Sequence, residues 1–392
     1  MKSRIYKRIE ELGEVVGGGT PSTNNEAYWN GDIPWISPKD LTSYNYRYIS
    51  RGERNITKLG FENSSAKMLP KGSILFSSRA PIGYVAIAAN SVCTNQGFKS
   101  VVPSKNVDPL FLYYLLKANG KHIANMGSGT TFKEVSGKVM RNIVLPIPST
   151  IEEQKRISSI LDSIDSKIEL NNQINDYLAE TAVALFNREC SQSNEPNAML
   201  SDIAQITMGQ SPSGSSYNEE GDGEVFYQGR AEFGAFFPRR RLFTTKPKRM
   251  AQEGDTLMSV RAPVGDLNIA NENCCIGRGL AAIHSENNQS FVHYLVRAQR
   301  RILNTFNGDG TVFGSINGKA LKELPVFLPG NDVIAHLESQ LKSIDELIRR
   351  NDDEMQALEQ MRDTLLPRLM SDEIDVSQIE VPKQLNNHLY GY

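Results

Sequence analysis

One stretch constrains this chain more than any other, because it occurs twice. Residues 72–85 read GSILFSSRAPIGYV, and residues 254–267 read GDTLMSVRAPVGDL. At this offset of 182, seven of fourteen positions are identical: Gly72/Gly254, Leu75/Leu257, Ser77/Ser259, Arg79/Arg261, Ala80/Ala262, Pro81/Pro263 and Gly83/Gly265. Unrelated segments of average composition share about one. Self-similarity at a fixed spacing means a duplicated structural unit. Upstream, GGGTPS (17–22) faces MGQSPS (208–213), and IPWIS (33–37) faces VFYQG (225–229). Downstream, GSGTTF (127–132) faces GDGTVF (308–313), and IVLPIP (143–148) faces LPVFLP (324–329).

Each copy changes character after its last proline. Gly and Pro punctuate short β-rich runs before it, as in GYVAIAANSV and GDLNIANENCCI, with an amphipathic helix at 109–120 facing 290–303. Each copy is therefore a mixed α+β domain. After the proline the pattern is helical. PSTIEEQKRI offers a capping box, Ser149 with Glu152 or Thr150 with Glu153. Ile157, Leu161, Ile164, Ile168, Asn171, Asn175 and Leu178 then recur at spacings of four and three. Leu337, Leu341, Ile344, Ile348, Asn351, Met355 and Leu358 repeat them 180 residues later. This is the seam of a coiled coil, and two matched seams in one chain suit each other as partners. An amphipathic helix covering a domain core shows similar spacing, so that reading stays open. Asn171 and Asn351 share one seam position, where a polar residue fixes register. Pro367 is expected to end the second helix. The segments are then a first domain at 1–149, a helix and linker at 150–195, a second domain at 196–330, a helix at 331–371 and a tail at 372–392. The tail is expected to fold back towards the first domain.

Charge follows the same division. Residues 1–149 carry 19 Lys and Arg against 10 Asp and Glu, whereas residues 150–195 carry 4 against 9. Residues 196–330 carry 14 against 13, and residues 331–392 carry 6 against 13. Neutral-to-basic domains alternating with acidic helices suggest different partners for the two kinds of block. The basic start MKSRIYKRIEELGEVV has no apolar core for a signal peptide, and no apolar run is long enough to span a membrane. Cys93, Cys190, Cys274 and Cys275 form no C-x-x-C pair, so reduced thiols in a cytoplasmic protein and no metal site are expected.

The order LGEVVGGGTPS, RAPIG, GTTF, PIPSTIEEQKRI and LLPRLMSDEIDVS resembles the specificity subunits of type I restriction-modification enzymes over nearly the whole chain. The second junction, PGNDVIAHL, departs from the pattern by lacking the Glu-Gln pair of EEQKRI. The resemblance implies two target-recognition domains, each reading one half of a bipartite double-stranded DNA sequence. It implies two helices packed antiparallel as a spacer with pseudo-twofold symmetry. It also places adenine methylation and cleavage, with S-adenosylmethionine, ATP and Mg, in two modification subunits and in restriction subunits. This chain would then be no enzyme and hold no cofactor. A coiled-coil adaptor that reads no DNA is the alternative.

The residues agree with a non-catalytic reading. Lys138 and Lys319 follow Gly but lack the remainder of a phosphate loop, and the five His are scattered. DNA binding needs cations for phosphates and polar side chains for base edges. Candidates in the first domain are Lys39, Tyr44, Tyr46, Arg47, Arg51 and Arg54. Those in the second are Gln228, Arg230, Arg239, Arg240, Arg241, Lys246 and Lys248, with aromatics interleaved. The repeated turn adds Arg79 and Arg261 with Ser77 and Ser259, as a phosphate clamp or as a structural turn whose Arg pairs with a carboxylate. The glycine loops add backbone N–H groups beside Thr130 and Thr311.

Overall fold

The computed structural model describes residues 4–42, 44–79, 81–129, 133–190, 195–308 and 314–380. They form two compact units, one from residues up to 172 together with those from 353 onward, the other from residues 173–352. Both units mix helix and sheet.

In the first unit a five-stranded sheet has the order Gly13–Gly17, Lys99–Pro103, Ile74–Phe76, Val85–Ala88, Tyr48–Ile49. In the second a four-stranded sheet has the order Gln205–Met208, Leu280–His284, Thr256–Ser259, Leu267–Ile269. Strands that align in sequence therefore hold equivalent places. The repeated strands are buried along their whole length because both of their faces are covered. Successive side chains point to opposite faces. Ile74 and Phe76 join the core built around Phe111 and Leu115, while Leu75 joins Val16, Ala86 and Phe98 on the other side. The second unit divides the same way, Met258 with Phe291 and Leu295, Leu257 with Val225 and Ile276.

A second sheet accompanies each. Trp29–Ile36 pairs antiparallel with Arg54–Ile56 and parallel with Cys93–Thr94. Glu224–Tyr227 pairs antiparallel with Leu242–Thr244 and parallel with Cys274–Ile276. The four cysteines are buried and free, and burial raises the thiol of Cys93 to about 11.

The long helices run Ile151–Glu189 and Asn331–Met370. The backbone N–H of Glu153 donates to Thr150 Oγ1 at 3.3 Å, so of the two candidate caps Thr150 is used. Each compact unit takes part of both helices, and within each unit the two parts run antiparallel. The apolar seam serves two purposes. Ile157 and Leu161 enter the first unit's core beside Leu366, Leu369 and Met370, and Leu337 and Leu341 enter the second unit's core beside Phe186. Ile164 and Ile168 instead pack on Met355 with Leu358 at the margin, and Ile348 packs on Ala179 with Leu178 and Ile344 alongside. The helix ends thus cover domain cores, and the middle stretches pair with each other. The seam asparagines have different partners: Asn171 donates to Glu354 at 2.8 Å, and Asn351 donates to Asn175 at 2.8 Å.

Pro367 does not end the second helix, which continues to Met370. A proline this near the terminus deletes one hydrogen bond, and burial of Leu369 and Met370 in the first unit's core holds the last turn. The backbone N–H of Ser371 then donates to Pro367 O at 2.9 Å and that of Glu373 to Arg368 O at 3.0 Å. Beyond it, Val376 is buried in the same core, flanked by Ile374 and Ile379.

Candidate nucleic-acid interface

The repeated S-x-R-A-P-x-G turn is a rigid mount. Ser77 Oγ donates to Pro81 O at 2.8 Å and accepts from the N–H of Tyr84 at 2.8 Å. Ser259 Oγ does the same with Pro263 O at 2.7 Å and the N–H of Asp266 at 2.9 Å. The N–H of Gly83 and of Gly265 each donate at 3.0 Å to the carbonyl of that serine. Both glycines have positive φ, 103° and 90°, which explains why the motif keeps glycine there. Both serines are buried and spend their hydroxyls inside the turn. Ser77 and Ser259 are therefore corrected from candidate DNA contacts to internal struts.

This mount joins a lattice of loops that both units share. Gly19 N–H donates to Thr94 O and Asn95 N–H to Ile36 O, as Gln210 N–H does to Ile276 O and Gly277 N–H to Tyr227 O. Ser78 N–H donates to Gly97 O and Val135 N–H to Ser78 O, matched by Val260 N–H to Gly279 O and Ile316 N–H to Val260 O. The close approach needs glycine. A Cβ on Gly18 would lie 2.0 Å from Asn95 O, and one on Gly209 would lie 2.1 Å from Gly277 O. The glycines of GGGTPS and MGQSPS thus seat those loops against the tips at 95–97 and 277–279.

On this lattice the charged candidates meet different fates. In the first unit Arg51 is exposed, and Arg54 is exposed with its guanidinium 3.6 Å from the centre of the Trp29 ring. Lys39 is exposed and paired with Glu53 at 2.8 Å, which raises its pKa. Tyr44 donates its hydroxyl to Tyr48 O, stacks edge-on against Tyr46, and is pushed up to about 12 by burial. Arg79 is about one third exposed, 3.9 Å from Glu134, which also accepts from Lys99 at 3.1 Å. Arg79 therefore satisfies the structural alternative for the turn.

Arg47 is a correction. Its side chain is 4% exposed and bonds to Glu169 through Nε at 3.0 Å and Nη2 at 2.9 Å, to Ser166 at 2.8 Å and to Asp162. Burial opposes the charge, but the hydrogen bonds with Glu169 prevail and raise its pKa. A guanidinium enclosed by two carboxylates of the long helix is an anchor, not a reader of DNA.

In the second unit Gln228 is exposed at the end of its strand. Arg230 pairs with Asp266, Arg240 with Glu272 in a fork at 2.6 and 2.7 Å, and Arg241 with Glu232. Arg239 lies 3.9 Å from Asp352. The triple-arginine run is thus locally neutralised. Lys246, Lys248 and Arg249 are exposed, and among the described residues none pairs with a carboxylate. Arg261 is likewise exposed and unpaired among the described residues, unlike Arg79. Thr130 and Thr311 lie outside the described residues.

Sequence reading missed the loop tips. Arg278 is exposed between Gly277 and Gly279, and its N–H donates to Ser211 Oγ at 3.3 Å. Gln96 holds the equivalent place and accepts from Thr20 Oγ1. The signal was available in the alignment of TNQGF (94–98) with IGRGL (276–280), where one polar residue precedes a glycine in each. Among the described residues no group of His, Cys, Asp and Glu could hold a metal ion, and no helix is long and apolar enough to cross a membrane.

Residues 5–180 and 197–356 match the type I restriction modification DNA specificity domain. The type I restriction enzyme MjaIX specificity subunit of Methanocaldococcus jannaschii is 31% identical to this chain, over 95% of the chain and 94% of the relative. The putative MjaX specificity subunit of the same organism is 32% identical over 94% and 93%. The EcoR124I/EcoR124II specificity subunit of Escherichia coli is 33% identical over 44% and 43%. A solved type I restriction-modification S subunit from M. genitalium shares the fold, with a TM-score of 0.58, 18% identity and coverage of 94% and 96%. With both copies of its duplicated α+β unit matched, and relatives aligned along nearly its full length, the chain belongs to the specificity subunits of type I restriction enzymes.

Proposed function

We propose that this chain is the non-catalytic, sequence-reading subunit of a type I restriction-modification assembly. Each compact unit binds one half of a bipartite double-stranded DNA target through its loop lattice. The observation that supports this is the duplication itself: one hydrogen-bonded lattice, built twice, carries exposed cations both times. Arg51 and Arg54 in the first unit, and Lys246, Lys248, Arg249, Arg261 and Arg278 in the second, supply phosphate contacts. Gln96 and Gln228 supply amides that suit adenine edges. The long helices act as an antiparallel spacer with pseudo-twofold symmetry. The 39 residues of the first measure about 58 Å at the usual helical rise, more than the ~34 Å of one DNA turn. Two modification subunits and the restriction subunits dock on this frame in the cytoplasm and bring S-adenosylmethionine, ATP and Mg.

The test is duplex binding by the chain with its modification subunits, measured against salt. K246Q/K248Q/R249Q should flatten the slope of log affinity on log salt by about 0.9 for each phosphate that these cations neutralise. R239Q/R240Q/R241Q should change it less, since those arginines already face carboxylates. Absence of any salt-dependent duplex binding attributable to this chain would support the adaptor alternative instead.

A further inference from the structure

The two long helices carry opposite answers to the same two docking problems. In both units the helix at 109–118 or 289–298 lies against a long helix through one shared bond. Tyr114 donates to Asp165 at 2.8 Å, and Tyr294 donates to Asp345 at 2.8 Å. These pairs are separated by the same 180 residues as the seams. Around this common bond the charges are exchanged between domain and helix.

The first exchange is at the start of the short helix. The N–H of Phe111 is capped at 2.8 Å by Asp108 of its own domain, and Ser158 of the long helix donates to that carboxylate at 2.8 Å. The equivalent N–H of Phe291 is capped at 2.7 Å by Glu338, which belongs to the long helix at the place of Ser158. Asn288, at the place of Asp108, makes no side-chain cap. The second exchange is the cation. The carbonyl of Arg47 accepts from Ile87 N–H at 2.7 Å, and that of Phe236 accepts from Ile269 N–H at 2.9 Å, so Arg47 and Phe236 are equivalent. Arg47 of the domain meets Glu169 of the helix and lies 5.8 Å from the Tyr48 ring. In the second unit the helix supplies the cation, Arg349, at the place of Glu169, 5.5 Å from the Phe237 ring, and it donates to Asn271 O at 2.7 Å. Each site has one capping carboxylate and one cation beside an aromatic ring, taken from opposite partners.

We propose that residues 158 and 169, and their counterparts 338 and 349, form a matching code that seats each domain on its own helix and rejects the other. A first domain on the second helix would set Arg47 against Arg349 and Asp108 against Glu338, two like-charge contacts in a half-buried interface. A second domain on the first helix would bury Glu169 without a cation and leave the N–H of Phe291 uncapped. Matching by complementarity and rejection by repulsion is how closely similar partners are told apart.

The code is testable in the full chain by transplanting one answer. S158E/E169R gives the first helix the second helix's residues and should lower the calorimetric melting midpoint of the first unit by about 10 °C. Adding R47F/D108N gives the domain the matching residues and should restore at least half of that loss. If the helix variant does not fold, recovery of folded protein by the fourfold variant supports the code equally. A helix variant that melts like the parent overturns the proposal, as does a fourfold variant that melts no higher or also fails to fold. The readout is stability, so it is independent of the DNA-reading proposal.

Discussion

Replacing Arg47 by methionine separates its two possible roles. The side chains of Arg47 and Glu169 are 4% and 5% exposed. Asp162, at 41%, can turn to water when the guanidinium is gone, but Glu169 cannot. Removing one partner of a buried ion pair costs about 3–5 kcal/mol, chiefly by leaving the other charge unpaired. That is a large share of the roughly 5–15 kcal/mol that holds a domain folded. Urea unfolding of R47M should therefore show stability lowered by this amount, and hydrogen exchange should place the loss in Pro109–Ala118 and the first long helix. R47M/E169Q removes both charges but keeps a side-chain oxygen for the N–H of residue 47, which donates to Glu169 at 2.7 Å. It should recover most of the loss, because no buried charge is left unpaired. Duplex binding by folded R47M should keep the parental salt slope, since an enclosed guanidinium neutralises no phosphate. A variant as stable as the parent but with a flatter salt slope would refute the anchor and return Arg47 to the DNA interface.

Two further outcomes follow from the packing. Burial, partly offset by hydrogen bonds from Ser290 and Tyr294, raises the Asp345 carboxyl to about 6. The folded state then binds more protons than the unfolded state between about pH 4 and 6, so this contribution is present below that window and lost above it. D345N should match the parent at pH 3.5 and exceed it at pH 7.5 by up to about 3 kcal/mol; an equal difference at both pH values would exclude this cause. Burial lowers the His293 imidazole to about 3, so its contribution rises with pH between about 3 and 6.5, and D345N should expose that opposing slope. Residues 1–195 alone lack Leu366, Leu369 and Met370, which complete the first unit's core. Phe186 and Cys190 occupy the places of Leu366 and Met370 in the repeat, so the fragment should pair with a copy of itself through its helix. A folded fragment that sediments as a monomer at tens of micromolar would count against the pseudo-twofold arrangement.

The duplicated plan is legible from local patterns along the chain. Turns that need glycine at positive φ, strands that alternate between two cores and helices with spacings of four and three leave their marks in residues close together in the chain. That is why GSILFSSRAPIGYV and GDTLMSVRAPVGDL identify equivalent strands and turns, and why both long helices are legible. The fate of the charges was set by long-range contacts of the folded chain. Arg47 and Arg51 look alike in the sequence, yet Arg47 is enclosed by Glu169, 122 positions away, while Arg51 faces water. Arg239, Arg240 and Arg241 read as a basic run until Asp352, Glu272 and Glu232 are brought to them. A charge's availability depends on what the fold places within a few ångströms of it, and those neighbours come from segments whose proximity no local pattern records.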